Sequence, residues 1–197
     1  MRTFALLFVL SMLSLFPLTA QSWEPDPDHT TFQFRAKHYG LTEITGRFKE
    51  YKIDFKMDGE DFLTASLFLE IKTKSLDSQN PFRDEHLRGK DFFDVQKYPT
   101  MTFRSKQVFP GKRKNEYEIV GDLTVKGITR PVTVSIRAGK AINDLKGDRR
   151  IGFGGFTIIN RYDFGMDFDV PLEDGTPLVS QEVNIDLGME LIKRTSK

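Results

Sequence analysis

The feature that most constrains this chain is a two-residue alternation of apolar and polar side chains that returns along most of its length. In Thr31–His38 the even positions are Phe32, Phe34, Ala36 and His38, and the odd ones are Thr31, Gln33, Arg35 and Lys37. Successive side chains of a strand point to opposite faces, so this run specifies a strand with one buried and one wet face. The same pattern returns at Tyr51, Ile53 and Phe55, and at Ala65, Leu67, Leu69 and Ile71. It continues at Met101 and Phe103, at Tyr117, Ile119, Leu123 and Val125, and at Val132, Val134 and Ile136. The longest run is Val183, Ile185, Leu187, Met189 and Leu191, with Asn184, Asp186 and Glu190 opposite. Turn pairs such as Tyr39-Gly40, Asp58-Gly59, Lys126-Gly127 and Asp174-Gly175 punctuate these runs. A further strand over residues 149–159, with a bulge or tight bend at Gly154-Gly155, brings the count to about eight. That count predicts an all-β sandwich or barrel in one domain. Residues 75–99 are too long for a hairpin loop. Asn80-Pro81 followed by Asp84-Glu85 predicts a short helix over residues 84–92, lying lid-like across one end.

Residues 1–20 stand apart. Met1-Arg2 opens with a positive charge, residues 4–18 are apolar except for a few positions such as Ser11 and Ser14, and Leu18-Thr19-Ala20 offers small residues for cleavage. This is the layout of a cleaved secretory signal, too short to span a membrane comfortably. The expectation is a periplasmic protein with residues 21–197 as its only domain and no stable membrane insertion after cleavage. With no cysteine in the chain, a disulfide framework, thiol catalysis, cysteine-held zinc and a cysteine-linked lipid anchor are all excluded. Without Arg2, the 29 basic residues become 28, against 28 acidic ones, so the basic footprint of a nucleic-acid binder is missing. No Gly-x-Ser-x-Gly elbow, Walker loop, Gly-x-Gly-x-x-Gly or His-Glu-x-x-His run occurs, and no catalytic residue is assigned. Asp26, Asp28 and His29 lie close in sequence, but no second dense cluster accompanies them, so no metal site is expected.

An eight-stranded barrel is either filled by its own side chains or lined around one ligand, and 18 phenylalanines serve either arrangement. The ordered blocks of the sequence narrow the choice. Phe32-Gln33-Phe34, Lys37-His38-Tyr39-Gly40 and Gly46-Arg47-Phe48 form the first, after Trp23 and an additional Pro-Asp before His29. The second runs from Arg83-Asp84-Glu85-His86-Leu87-Arg88-Gly89 through Asp91-Phe92-Phe93-Asp94 to Tyr98-Pro99. Gly121-Asp122-Leu123-Thr124-Val125-Lys126-Gly127 and Asn160-Arg161-Tyr162-Asp163-Phe164-Gly165 complete the series. Together they resemble the YceI-like family over nearly the whole mature chain. The resemblance implies an eight-stranded antiparallel lipocalin-like barrel that holds a polyisoprenoid, an isoprenoid quinone or a fatty-acyl lipid, with no cofactor required.

The apolar residues expected at such a ligand are Phe32, Phe34, Phe55, Leu67, Leu69 and Phe103, joined by Leu123, Phe153, Phe156 and Ile158. Phe92 and Phe93 would reach in from the long connection. Among polar residues, His38 shares the apolar face of its strand, where it meets a headgroup or caps a strand end. Arg83 and His86 serve an anionic headgroup or a local cluster with Asp84 and Glu85. Asn160 and Arg161 offer phosphate contacts, since a guanidinium gives two parallel hydrogen bonds, or Arg161 pairs with Asp163 or Asp91. Lys126 reads as an exposed turn ammonium. The functional expectation is a non-catalytic carrier or buffer of long apolar lipid. The alternatives are a quinone-linked accessory or a protein-binding module and, less favoured, a lipid-modifying enzyme; an exposed β-edge could support a homodimer.

Overall fold

In a computed structural model that describes residues 22–194, the alternating runs become a single curled antiparallel sheet. Its strands are β1 (Glu24–Pro25), β2 (Thr31–His38), β3 (Thr42–Phe48), β4 (Tyr51–Lys56), β5 (Ser66–Lys72) and β6 (Leu76–Asp77). They continue with β7 (Thr100–Pro110), β8 (Glu116–Val125), β9 (Ile128–Ala138), β10 (Ile142–Asn143), β11 (Arg149–Asn160) and β12 (Val179–Lys193). The hydrogen-bonded order is β4-β5-β7-β8-β9-β11-β12-β2-β3-β6, with β1 on β12 and β10 on β11. Among the described residues there are twelve strands rather than eight. Three of them are two-residue bridges, too short to show a period. The fourth, β3, escapes the pattern because one of its inward positions is Gly46, which has no side chain to mark a face. The expected signal segment, residues 1–20, lies outside the described residues.

One contribution to the curl is a bend in the chain. Strands β3 and β4 are two halves of one bent run, broken at Lys49 and Glu50, and they pair with different neighbours: β3 with β2, β4 with β5. The bend is held by Ser75, whose hydroxyl accepts from the Lys49 and Glu50 amides at 3.2 and 3.0 Å and donates to the Lys72 carbonyl at 2.7 Å. Across it, the Lys72 amide donates to the Glu50 carbonyl at 2.9 Å. One chain segment therefore carries the sheet from its last long strand back towards its first, and the sheet curls into a half-barrel around its apolar face.

Strand β11 corrects another expectation. Its pairing with β12 runs from Arg149 opposite Lys193 to Asn160 opposite Glu182 with no shift of register, so Gly154-Gly155 marks no bulge. Gly155 is there because of close packing: a Cβ at that position would lie 2.7 Å from both Ile136 Cδ1 and Leu187 Cγ. The helix also begins earlier and ends sooner than 84–92. Helix α1 spans Pro81–Arg88, with the Asn80 side chain accepting from the Arg83 amide at 3.1 Å and proline in the first turn. Asparagine at the cap and proline just inside suit a helix start, because the first N–H groups have no partner within the helix. Phe92 and Phe93 fall beyond its end.

One end of the barrel is sealed by aromatic rings. The loop between β4 and β5 turns inward at Phe62, which is 1% exposed. Its ring lies 5.4 Å from Phe153 edge-on, 5.3 Å from Tyr117 stacked and 6.4 Å from Phe55. Trp23 covers the same end, its indole N–H donating to the Gly59 carbonyl at 2.6 Å. Among the described residues no helix is long and apolar enough to cross a membrane.

Candidate functional site

Above the ring plug the barrel is hollow. The inward side chains of most long strands line a cavity of about 1270 Å³ of empty space, solvent at its open part included, and the surface they present to it is entirely apolar. The alternation explains the chemistry of this wall: every second residue faces inward, and those positions hold Phe, Leu, Ile and Val. On β8 the lining runs from Ile119 to Val125, six steps that amount to about 20 Å at the usual strand rise. The far end is walled by Leu87 at the end of α1, by Phe92 and Phe93, and by Met166 and Val179.

The structure brings Phe32, Phe34, Leu67, Leu69, Phe92, Phe93, Phe103, Leu123 and Arg161 to this cavity. Phe55 and Phe153 face inward but belong to the plug, with rings 5.9 Å apart. Phe156 and Ile158 point outward, 40% and 50% exposed. An unbulged β11 keeps Phe153, Gly155, Thr157 and Ile159 on one face, so the even positions must lie on the other. His38 sits at the end of β2 with its ring 4.2 Å from Tyr39, away from the lining. Arg83 folds back on the helix start, donating to the Ser78 hydroxyl at 2.8 Å and the Ser78 carbonyl at 2.6 Å. His86 stays on the outer side, 3.2 Å from Asp91 and edge-on to Phe92 and Phe168. Asn160 caps the turn Arg161–Phe164 by accepting from the Tyr162 amide at 3.0 Å.

Arg161 is 2% exposed, yet neither Asp163 nor Asp91 is its partner. Its guanidinium donates to the carbonyls of Ser180 at 3.0 Å, Val179 at 3.1 Å and Met166, and it lies 4.6 Å over the Tyr162 ring. Burial pulls its pKa down from the ordinary arginine value, but an arginine remains charged at any physiological pH. The nitrogens are committed to the backbone, so Arg161 offers the cavity only its hydrocarbon stem. Lys126, in the β8–β9 turn, is likewise no free ammonium. It donates to the Gly165 carbonyl at 2.7 Å and the Lys90 carbonyl at 3.0 Å. Two cations thus tie together the loops around the far end of the cavity.

Several lining residues were not put forward as ligand contacts. Ile71, Ile119, Val134, Ile136, Ile185 and Leu187 stand on the inward faces that alternation marks. Met166 and Val179 enter from a loop and a strand end, where no period exists to announce them. At the plugged end, folding also gathers Asp26, His29 and Glu190, whose ligand atoms lie within 4.8 Å of one another. Arg150 already serves these carboxylates, at 2.8 Å from Asp26 and 3.3 Å from Glu190. Burial acts to raise the Asp26 pKa, but hydrogen bonds from Arg150, His29 and the Asp28 amide outweigh it and hold the group below its usual value. This is an ion-pair network that pins the N-terminal segment.

Comparison with known proteins agrees with this architecture. The model of the YceI-like domain matches residues 23–191. A UPF0312 protein of Vibrio parahaemolyticus is 33% identical over 90% of this chain and 93% of its own length. One from Staphylococcus epidermidis is 32% identical over 84% and 94%. The crystal structure of Burkholderia cenocepacia BcnA superposes with a TM-score of 0.72 at 25% identity, covering 85% of this chain and 99% of that one. A polyisoprenoid binding domain from Saccharophagus degradans, implicated in plant cell wall breakdown, shares the fold at a TM-score of 0.61 and 13% identity, over 88% and 99% of the two chains.

Proposed function

Since this chain belongs to the YceI-like family, we propose that it is a non-catalytic binding protein that holds one long apolar lipid chain inside its barrel. The observation that carries this reading is the wholly apolar cavity. Such a wall recognises hydrocarbon and nothing charged. Each methylene withdrawn from water contributes ~0.8 kcal/mol, so ten of them supply roughly 8 kcal/mol. That gross figure corresponds to about micromolar binding before the cost of ordering the chain. The fold shared with a domain described as polyisoprenoid binding supports an isoprenoid as the ligand class. The signal-like residues 1–20 support export to the periplasm, where the protein would carry or buffer lipid between membranes.

The test is native mass spectrometry of the protein recovered from the periplasm of its own host, followed by organic extraction. A stoichiometric prenyl or acyl compound is the expected result. A clean apo mass, with no uptake of added farnesol, ubiquinone or palmitate, would overturn the reading and favour a protein-binding barrel.

A further inference from the structure

Two glycines stand on the cavity wall where their strands' alternation would otherwise place a side chain. Gly46 of β3 is directly opposite Phe34 of β2, and a Cβ on Gly46 would overlap the tip of the Phe34 ring. Gly155 of β11 is opposite Leu187 on one side and Ile136 on the other, and its Cβ would fall 2.7 Å from both side chains. Phe34, Leu187 and Ile136 all line the cavity. In both places the three nearest obstructing atoms belong to side chains, whereas a Cβ on Gly121 would also strike the Arg104 carbonyl at 2.5 Å. Gly121 is therefore required by strand pairing, while Gly46 and Gly155 are required by what lies on them.

Each of these two glycines is a bed into which a lining side chain sinks. The Phe34 ring rests on Gly46 and is flanked by Phe48, 5.8 Å away. A methyl group beneath it would push it towards the free space of the cavity, since the sheet backbone blocks the other direction. The same holds for Leu187 and Ile136 over Gly155. The two beds are neighbours: Phe34 pairs with Ile185 and Phe32 with Leu187 on β12, so they are offset by two residues, about 7 Å along the strands. The Gly155 level also contains Tyr117, paired with Ile136, which belongs to the plug. The Gly155 bed thus borders the plug, and the Gly46 bed lies one level further from it.

Resting on the lipid-binding reading above, we propose that Gly46 and Gly155 set the bore of the channel at two adjacent levels of its wall. They make it wide enough for a methyl-branched, isoprenoid-type chain in preference to a straight acyl chain. A straight chain in a bore of that width leaves gaps and forfeits dispersion contacts, while a branched one fills them. Narrowing the bore by one methyl group reverses the balance, because overpacking penalises the wider ligand.

The experiment compares phytol with hexadecanol, alcohols of equal backbone length that differ in four methyl branches and one double bond, by displacement of a fluorescent apolar probe from the full mature chain. The wild type is expected to prefer phytol. Gly46→Ala and Gly155→Ala are each expected to weaken phytol about fivefold or more while leaving hexadecanol nearly unchanged. Trimming the displaced ring in Gly46→Ala/Phe34→Leu should restore the phytol preference, and that double variant decides the matter if a single variant fails to fold. Equal losses for both alcohols, or no loss in a folded variant, would overturn the bore assignment and leave lipid binding intact. A wild type that takes up neither alcohol would overturn the lipid-binding reading itself.

Discussion

Replacing Arg161 with methionine distinguishes a clamp from a headgroup site. Methionine keeps an apolar stem of similar length and removes only the donors. Three carbonyl acceptors then lose their partner: Met166, whose bond to Arg161 is buried, and Val179 and Ser180, which are half-buried. A buried acceptor left unsatisfied costs about 1–3 kcal/mol, and the two that water can reach cost less, giving a loss of about 2–5 kcal/mol in all. The figure is no larger because the variant also escapes the expense of burying a cation, the same burial that lowers the arginine's pKa. A domain of ordinary stability, about 5–15 kcal/mol, survives this loss folded. Urea unfolding followed through Trp23, the single tryptophan, should show a lower midpoint with an unchanged slope. Hydrogen exchange should rise around residues 161–166 and 179–180. A variant of wild-type stability that selectively lost affinity for an anionic lipid such as palmitate over hexadecanol would refute the clamp and make Arg161 the headgroup ligand.

Phe62→Ala should remove the centre of the ring plug and cost about 3–5 kcal/mol, read from thermal or urea unfolding. A loss below about 1 kcal/mol would show that the loop carrying Phe62 does not seal the barrel. Lys126→Met should free the loops at residues 89–94 and 161–166, raising their amide exchange with little change in global unfolding and speeding release of a bound probe. Identical exchange in the variant would show that the ammonium holds nothing. His29 is held above its usual pKa by its hydrogen bond and charge interaction with Asp26. Its contribution is therefore complete below the unfolded value of 6.5 and is lost as pH rises through the raised folded value. Asp26 has the opposite sign: its contribution is present above 3.8 and is lost as pH falls through the lowered value. His29→Gln should flatten the pH dependence of the melting temperature above pH 6.5 and leave acid unfolding in place. A wild type with no slope in that window would refute the linkage. Asp77 should titrate at about 2, held down by the hydrogen bond from Lys49 and by the Gln79 amide, and move up towards its usual range in Lys49→Ala when followed by carboxyl-selective NMR.

Much of the barrel was legible because the strand period is a local property. Phe32 and Phe34, Leu67 and Leu69, and Phe103 with Leu123 could be placed inward from their own runs. Phe156 and Ile158 were misplaced because Gly154-Gly155 suggested a bulge, which would have exchanged the faces of the residues beyond it. The observed register keeps them outside. Strand β3 was missed for a related reason, because Gly46 removes the mark that periodicity needs. Polar residues were the least legible. Arg83, His86, Asn160 and Lys126 all find partners that depend on how a turn or helix closes, and Arg161 finds three carbonyls, two of them from a strand 18 and 19 residues further on.

By itself the sequence determined the all-β class, the apolar face that had to be covered, the absence of disulfide and thiol chemistry, and the family to which the chain belongs. The first three follow from composition and from a period of two, which each short stretch expresses without its neighbours, and the family follows from the ordered motif blocks. Tertiary structure alone decided that the interior is hollow, that its plug is built from Phe55, Phe62, Tyr117 and Phe153, and that Arg161 and Lys126 tie loops together. Whether inward side chains meet or leave a channel depends on the curvature of the sheet, to which the bend at Lys49–Glu50 contributes. It also depends on the glycine beds beneath Phe34, Ile136 and Leu187. Both arise from contacts between strands distant in sequence, which no single strand records.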